Sequence, residues 1–231
     1  MRGMFVTGTD TGVGKSVLSA ALLAAMAAEG ERVRAYKPVL TGLDEPAAIG
    51  AQGRWPRDDE LLATAAGMDP ELVAPVRYGP AVSPHLAASL AGDYIDPARL
   101  LAGARERSGE EHILIVEGVG GLLVPLSNDC TVRDLAAALG LGLLIAARPA
   151  LGTINHTLLT LESARAGGLD VRAVVLTPWP AAPSQMQLSN RETIARLGAV
   201  EVQTLATVAR PARGDLARAG EGLPWRRWLG G

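Results

Sequence analysis

The stretch MFVTGTDTGVGKSVL, residues 4–18, decides the fold of this 231-residue chain. Its first four residues are an apolar run that predicts a buried strand, and the alanine- and leucine-rich residues 15–29 predict a helix. Gly8, Gly12 and Gly14 lie between these two segments, so the backbone there can turn sharply into the helix N-terminus. The order of strand, glycine-rich loop and helix is typical of a phosphate-binding loop.

The chemistry of this loop follows from its backbone and two side chains. The N–H groups of residues 12–15 can converge on a phosphate, and the helix dipole favours the negative charge there. Lys15 would reach the β- and γ-phosphates of a nucleotide, and the Ser16 hydroxyl would bind Mg²⁺. Five residues separate Gly8 from Gly14, where the common pattern has four. A plain glycine turn is the alternative interpretation.

Length and composition limit the class of protein. The chain fits one large α/β domain, residues 1–231, and its hydrophobic residues are 48% of the total but its aromatic residues only 3%. Ala, Val, Leu and Ile must therefore form most of the core. The formal net charge of −2 gives no reason to expect nucleic acid as a partner.

Cysteine and hydropathy bear on the cellular setting. Cys130 is the only cysteine, so no disulfide can form within the chain, and a cytoplasmic location is predicted. No apolar run reaches the roughly 18 residues needed for a transmembrane helix, so no membrane association is expected.

Short apolar runs alternate with longer helical patterns along the chain. This alternation predicts the α/β class: a doubly wound, mostly parallel sheet flanked by helices, of the P-loop NTPase type. The predicted strands cover 4–7, 33–37, 112–117, 141–147 and 171–177, and the predicted helices cover 15–29, 58–66, 97–107, 131–139, 153–167 and 185–197. Two loops rich in Gly, Pro or Asp, 41–57 and 118–130, each follow a strand and are candidate site loops.

Several charged residues lie where strands end or helices begin. Glu117 closes the most apolar predicted strand, where a carboxylate would face the phosphate-binding loop and help hold Mg²⁺. Asp58 and Asp59 begin a helix, a position that suits simple capping as well as metal binding. Lys37 ends the second predicted strand, and it and Lys15 are the only two lysines in the chain. Two isolated lysines at neighbouring strand ends favour a functional role for both.

Five separated motifs resemble one family of enzymes. VTGTDTGVGKS, YKPVLTG, SPH, EGVGGLLVPL and LGTINHTLLT occur in the order and spacing of the dethiobiotin synthetases, from about residue 4 to residue 197. The resemblance also accounts for the longer opening loop, which this branch of P-loop proteins carries.

The resemblance implies a reaction. Such enzymes use 7,8-diaminopelargonate, CO₂ or bicarbonate, Mg²⁺ and ATP or another nucleoside triphosphate such as CTP. An amine becomes a carbamate, the carbamate attacks the γ-phosphate, and the neighbouring amine closes the ring and releases phosphate. Lys15 would neutralise the transferring phosphoryl group, and Lys37 would hold the carbamate, which makes these two the predicted catalytic residues.

The resemblance also implies binding roles for other residues. Ser16, Asp58 and Glu117 would ligate Mg²⁺, with Asp59 as the nearby alternative to Asp58. The predicted nucleotide-binding residues are Gly12, Val13, Gly14, Lys15, Ser16, Val17, Asp58, Glu117, Gly118, Val119, Gly120, Thr177 and Pro178. The predicted substrate-binding residues are Thr11, Lys37, Thr41, Gly152, Thr153, Ile154 and Asn155, with Ser83 in the same region. In the family the loop that contains residues 152–155 comes from the second subunit, so a homodimer is expected.

Two features depart from the family pattern and bear on alternatives. TPWP, residues 177–180, stands where adenine-selective members carry Asn-Asp, and QTLATVARPARG contains no recognisable G-x-x-P base loop. A relaxed or pyrimidine-tolerant base site is therefore a second hypothesis. A nucleotide-switch ATPase of the partitioning or division-site type is the alternative function. Such proteins carry an extra lysine early in the P-loop, which is absent from residues 8–11.

Overall fold

The computed structural model describes residues 1–46, 49–50 and 53–230, with backbone alone for 49–50 and 53–54. Part of the predicted site loop 41–57 therefore lies outside the described residues. The strands are β1 Gly3–Gly8, β2 Val33–Tyr36, β3 Val39–Leu40, β4 Ile49–Gly50, β5 Gly53–Arg54, β6 Val76–Arg77, β7 Ile113–Gly121, β8 Gly142–Ala147, β9 Val171–Trp179 and β10 Val202–Ala206. The helices are α1 Lys15–Ala28, α2 Asp58–Ala66, α3 Pro70–Val73, α4 Pro84–Leu90, α5 Pro97–Arg107, α6 Val132–Leu139, α7 Thr153–Ala166, α8 Gln185–Gly198, α9 Arg213–Gly220 and α10 Trp225–Trp228.

Six parallel strands form the central sheet, in the order β10-β9-β8-β1-β7-β2. This confirms the predicted doubly wound α/β class. The strand order reverses at β1, which lies between β7 and β8. In such sheets ligands bind outside the carboxyl ends of the strands at the reversal point, so the loop after β1 is at the expected place.

Alternate residues of each strand enter two separate cores. Met4 and Val6 point into one core with α1, α2 and α9, whereas Phe5 points into the other with α5 to α8. Because both faces of the sheet are covered by helices, the strands are almost continuously apolar, as the sequence pattern predicted. Apolar burial on both sides holds the carboxyl ends of β1, β7 and β8 in fixed register.

Several elements differ from the sequence-based expectations. The strand predicted to end at Glu117 continues to Gly121, so that the carboxylate lies inside the strand and not at its last residue. β10 was not predicted, because VQTLA is short and only half buried at the sheet edge. Two short helices, α9 and α10, were also not predicted. Trp225 and Trp228 of α10 are buried in the core that contains α1, α2 and α9, so these tryptophans have a packing role.

No helix in the described ranges is both long enough and apolar enough to cross a membrane.

Candidate active site

A cavity of about 600 Å³ lies above the carboxyl ends of β1, β2 and β7. Its walls come from the loop after β1, the start of α1, the residues that follow β2, the start of α2 and the end of β7. The lining residues are Thr11, Gly12, Gly14, Lys15, Ser16, Val17, Lys37, Leu40, Thr41, Trp55, Pro56, Asp58, Leu61, Ala81, Val82, Ser83, Pro84, Val119, Gly120 and Val124. The cavity therefore joins the predicted phosphate loop to the predicted substrate region.

The loop from Gly8 to Gly14 has the geometry of a phosphate-binding loop. Gly12 and Gly14 have φ values of 69° and 95°, in the left-handed region that glycine adopts without strain. A Cβ at Gly14 would lie 2.8 Å from Thr177 Cγ2, so a side chain there would also collide with the end of β9. The loop delivers the chain into α1, whose first residues have free N–H groups for an anion.

Lys15 is the first residue of α1 and is 7% exposed. Within the described part of the chain its Nζ donates one hydrogen bond, to the Asp10 carbonyl oxygen at 2.8 Å. Burial lowers the pKa of Lys15, although the nearby Glu117 carboxylate opposes that shift. An incoming phosphate would supply the negative charge that this ammonium lacks.

Lys37 lies between two carboxylates, and these three residues are called the Lys37 cluster. Its Nζ donates to Glu117 Oε1 at 2.6 Å and is 2.8 Å from Asp58 Oδ2. Burial disfavours the charged lysine, but the two carboxylates outweigh burial and raise the pKa of Lys37. The Lys37 ammonium likewise outweighs the effect of burial on Asp58 and lowers the pKa of that carboxyl group. Lys37 and Asp58 are therefore both charged at neutral pH.

The cluster connects to the phosphate loop through Glu117. Ser16 Oγ donates a hydrogen bond to Glu117 Oε1 at 2.8 Å, although the two residues are 101 positions apart. Asp58 lines the cavity, whereas the neighbouring Asp59 is fully buried and pairs with Arg77. Of the two aspartates that the sequence left open, the structure brings Asp58 to the cavity.

The residues present fit a magnesium ion. Glu117 is 1% exposed, and its Oε2 atom has no hydrogen-bond partner among the described residues, although a buried carboxylate oxygen normally has one. Asp58 and Ser16 add two more hard oxygen donors beside it. No group of three or more His, Cys, Asp and Glu side chains suited to a metal occurs in the described ranges. Mg²⁺ needs no such group, because it takes one or two carboxylates together with waters and nucleotide phosphates.

Most predicted site residues line the cavity, but some do not. The predicted residues absent from its lining are Val13, Glu117, Gly118, Gly152, Thr153, Ile154, Asn155, Thr177 and Pro178. Glu117 still reaches the site through Ser16 and Lys37. A Cβ at Gly118 would contact Val132 and Phe5, so this residue faces the core and its side-chain position is not on the cavity. Residues 152–155 begin α7, outside the lining of this chain's own cavity.

Two features at or near the cavity were missed in the sequence. Trp55 and an apolar wall that includes Leu40, Val82 and Val124 face the predicted substrate residues. Arg148 follows β8 directly and hydrogen bonds to the Gly12 carbonyl oxygen. The rule that singled out Lys37, a charged residue at a strand end beside the phosphate loop, would also have found Arg148.

Solved structures share the fold at low sequence identity. Apo McdA from Cyanthece is 12% identical with a TM-score of 0.53, and the match covers 95% of this chain and 90% of that chain. The MinC:MinD cell division complex of Aquifex aeolicus is 16% identical with a TM-score of 0.53, covering 98% and 89%. At these identities the likeness shows a common fold and gives no support to a switch-ATPase function.

Sequence comparisons are more specific. Residues 2–210 match the family described as AAA domain. The ATP-dependent dethiobiotin synthetase BioD of Anaeromyxobacter sp. (strain Fw109-5) is 39% identical, covering 94% of this chain and 98% of the relative. The enzyme with the same name from Mycobacterium avium (strain 104) is also 39% identical, covering 99% and 98%. This confirms the resemblance seen in the five motifs. The chain belongs to the ATP-dependent dethiobiotin synthetase family.

Proposed function

We propose that this chain is a dethiobiotin synthetase, a cyclo-ligase that joins 7,8-diaminopelargonate and CO₂ at the expense of a nucleoside triphosphate. Family membership supports the activity, and one structural observation supports the roles proposed for these residues. Lys37 and Ser16 both donate to the same oxygen of Glu117, so the predicted carbamate and phosphate groups of the site meet in one cavity.

Phosphoryl transfer would depend on Lys15 and the loop backbone. The N–H groups at the start of α1 and the helix dipole hold the triphosphate, and Lys15 neutralises the charge that develops on the γ-phosphoryl group. The carbamate oxygen attacks the γ-phosphorus and the nucleoside diphosphate leaves. The second amine then attacks the carbamate carbon, which closes the cyclic urea and releases phosphate.

Lys37 would hold the carbamate during this attack. A carbamate has the charge and planar shape of a carboxylate, so it can replace the Asp58 oxygen that lies 2.8 Å from Nζ. Lys37 is 3% exposed, and such burial strengthens its attraction for the carbamate and limits its motion. The aliphatic chain of the substrate fits the apolar wall that includes Leu40, Val82 and Val124.

Ser16, Asp58 and Glu117 would hold the Mg²⁺ ion that the family implies. When bound, this ion offsets negative charge on the nucleotide phosphates. Glu117 has the clearest part in holding it, because its Oε2 atom is buried and the part of the chain that the structure describes offers it no partner.

We further propose that the site accepts bases other than adenine, CTP among them. In place of the usual Asn-Asp, the end of β9 carries Thr177 and Pro178. Thr177 is buried against Gly14, and Pro178 has no N–H to offer a base. The chain retains the phosphate-binding end of the site without the side chains that select adenine.

The experiment is phosphate release with Mg²⁺ and bicarbonate, with and without 7,8-diaminopelargonate, using ATP, CTP and GTP in parallel. Release that depends on the diamine, with formation of the cyclic urea verified by mass spectrometry, is expected. Release at the same rate without the diamine would refute the synthetase and point to a switch ATPase. A preference for ATP above about a hundredfold would refute the relaxed base site.

We also propose a homodimer in which α7 of one chain completes the cavity of the other. Residues 152–155 lie outside the cavity of their own chain, yet they begin a helix that can bind a substrate carboxylate. Leu151 beside them is 90% exposed, and Leu159, Leu188 and Leu197 on α7 and α8 are exposed as well. Apolar exposure on adjacent helices suits a subunit contact.

Mixed dimers test this sharing. Lys37→Met should inactivate its own cavity, and Asn155→Asp should repel substrate from the partner's cavity. Coexpression of the two inactive chains should restore about a quarter of wild-type activity, because half of the dimers regain one intact site. No recovery in mixed dimers, isolated through a different affinity tag on each chain, would refute the shared site.

A further inference from the structure

Arg148 follows the strand that flanks β1 on the side opposite the Glu117 strand. It is the first residue after β8, and β8 pairs with β1 on the side opposite β7. Its Nε and Nη2 both donate to the carbonyl oxygen of Gly12, at 3.1 and 2.7 Å. The two residues are 136 positions apart, so this contact ties the second neighbouring strand to the loop.

This contact fixes the orientation of one peptide unit. The Gly12–Val13 peptide is planar and trans, so its N–H points in the direction opposite to its C=O. When Arg148 holds the Gly12 carbonyl, the Val13 N–H is directed away from the guanidinium group. Gly12 has a φ of 69° and has no side chain to restrict the peptide, so the loop needs an external contact to keep one orientation.

The charge of Arg148 is also available to a ligand. Within the described residues the guanidinium group forms no ion pair with a carboxylate, and its only hydrogen bonds are to Gly12. A Cβ at Gly12 would lie 2.9 Å from Nη2, which shows how closely the cation packs against the loop. A positive charge at this distance favours a triphosphate over a diphosphate or an empty loop.

We propose that Arg148 is a positioning residue for the nucleotide. It holds the Gly12–Val13 peptide in its phosphate-binding orientation and adds a positive charge beside the loop. The inference rests on the proposed nucleotide-dependent function, but it concerns nucleotide affinity and not the ring closure.

Arg107 provides a matched control. Its Nε and Nη2 also donate to one carbonyl oxygen, that of Leu72, at 2.9 and 2.7 Å. Arg107 belongs to α5 and stacks over the ring of Tyr36, and it does not line the cavity. Arg107→Met removes the same kind of contact at a site that the nucleotide does not reach.

The test compares Arg148→Met, Arg148→Lys and Arg107→Met by calorimetric titration with Mg·ATP and Mg·ADP, without diamine. Arg148→Met should weaken Mg·ATP binding about tenfold, and Arg148→Lys less, because lysine keeps the charge but not the paired donors. Arg107→Met should bind like the wild type even if it melts earlier. In turnover assays Arg148→Met should raise the nucleotide KM more than it lowers kcat.

Two outcomes would overturn the inference. One is an Arg148→Met affinity within twofold of the wild type, and the other is an equal loss of affinity in Arg107→Met, which would indicate general loosening of the fold. Failure of the proposed function would give a different result. The wild type would then show no diamine-dependent phosphate release, but the nucleotide affinities of the variants could still be compared.

Discussion

Lys15 in the phosphate loop and Lys37 in its cluster are the same residue type, both buried and both lining one cavity, yet their surroundings differ. Lys15 has a backbone carbonyl as its partner, and burial lowers its pKa. Lys37 lies within hydrogen-bond distance of two carboxylates, which overcome burial and raise its pKa. The first ammonium is short of negative charge and the second is already compensated.

This difference indicates how the site divides its work. A buried cation without a carboxylate is costly until an anion arrives, so under the proposed function Lys15 would gain its partner when a phosphate binds. Lys37 would exchange one anionic partner for another, so a carbamate could bind there with little change in local charge. We therefore expect Lys15 to matter most for nucleotide binding and phosphoryl transfer, and Lys37 to matter more for stability.

The largest expected effect is on turnover. Lys15→Met should lower kcat of diamine-dependent phosphate release by about a thousandfold, because the charge that develops on the transferring phosphoryl group loses its neutralising ammonium. Steady-state release with saturating diamine measures it, and Arg107→Met serves as the control. A loss below about tenfold would mean that Lys15 takes no part in the transfer step.

The free energy of unfolding should distinguish the two lysines in the opposite direction, because replacing Lys37 should destabilise the protein more than replacing Lys15. Lys37→Met leaves Glu117 buried without its cation, which should cost about 3–5 kcal/mol in the free energy of unfolding. Lys15→Met removes a buried charge that no carboxylate of the described ranges contacts directly, so it should leave that free energy unchanged or raise it. Urea unfolding at pH 7.5 measures both variants, and equal losses would contradict the comparison.

A second substitution sharpens the stability test. Glu117→Gln added to Lys37→Met removes the uncompensated charge, so the double variant should regain about half of the lost free energy. Glu117→Gln alone should weaken Mg·ATP binding more than diamine binding, because Oε2 is buried and no described residue is its partner. A double variant no more stable than Lys37→Met would show that the loss comes from packing.

Much of the fold could be predicted because it depends on local patterns. The apolar runs at 4–7, 141–147 and 171–177 became β1, β8 and β9, and covered strands require such runs. β10 escaped because an edge strand with half-buried residues lacks that pattern. Its place is set by pairing with β9, which is a tertiary effect.

The site residues likewise differ in how far the sequence predicts them. Lys15 and Ser16 follow from a local motif, and Lys37 and Glu117 from the rule that strand ends meet at one edge of the sheet. The direct contact between Lys37 and Asp58 could not be predicted, because it depends on where the start of α2 packs against the sheet. Trp55, which lies shortly before α2, lines the cavity for the same reason.

The smallest expected effect is the difference between the pKa values of the two lysines. Because the chain has only two lysines, labelling with ¹³C at Cε should give two resonances, assigned by Lys15→Met and Lys37→Met. In the unliganded protein the Lys15 signal should titrate below the ordinary value of 10.5, and the Lys37 signal should still be in its charged position there.

The sign of the accompanying stability change follows from these pKa directions. Between the lowered pKa of Lys15 and 10.5 the unfolded chain binds the proton more strongly than the folded one, so the Lys15 contribution to stability rises with pH. The Lys37 contribution is complete below 10.5 and is lost as pH rises through its higher folded pKa. Nucleotide binding should raise the Lys15 pKa by bringing an anion to its ammonium. A Lys15 signal that titrates at or above that of Lys37 would show that the two lysines do not differ in charge compensation.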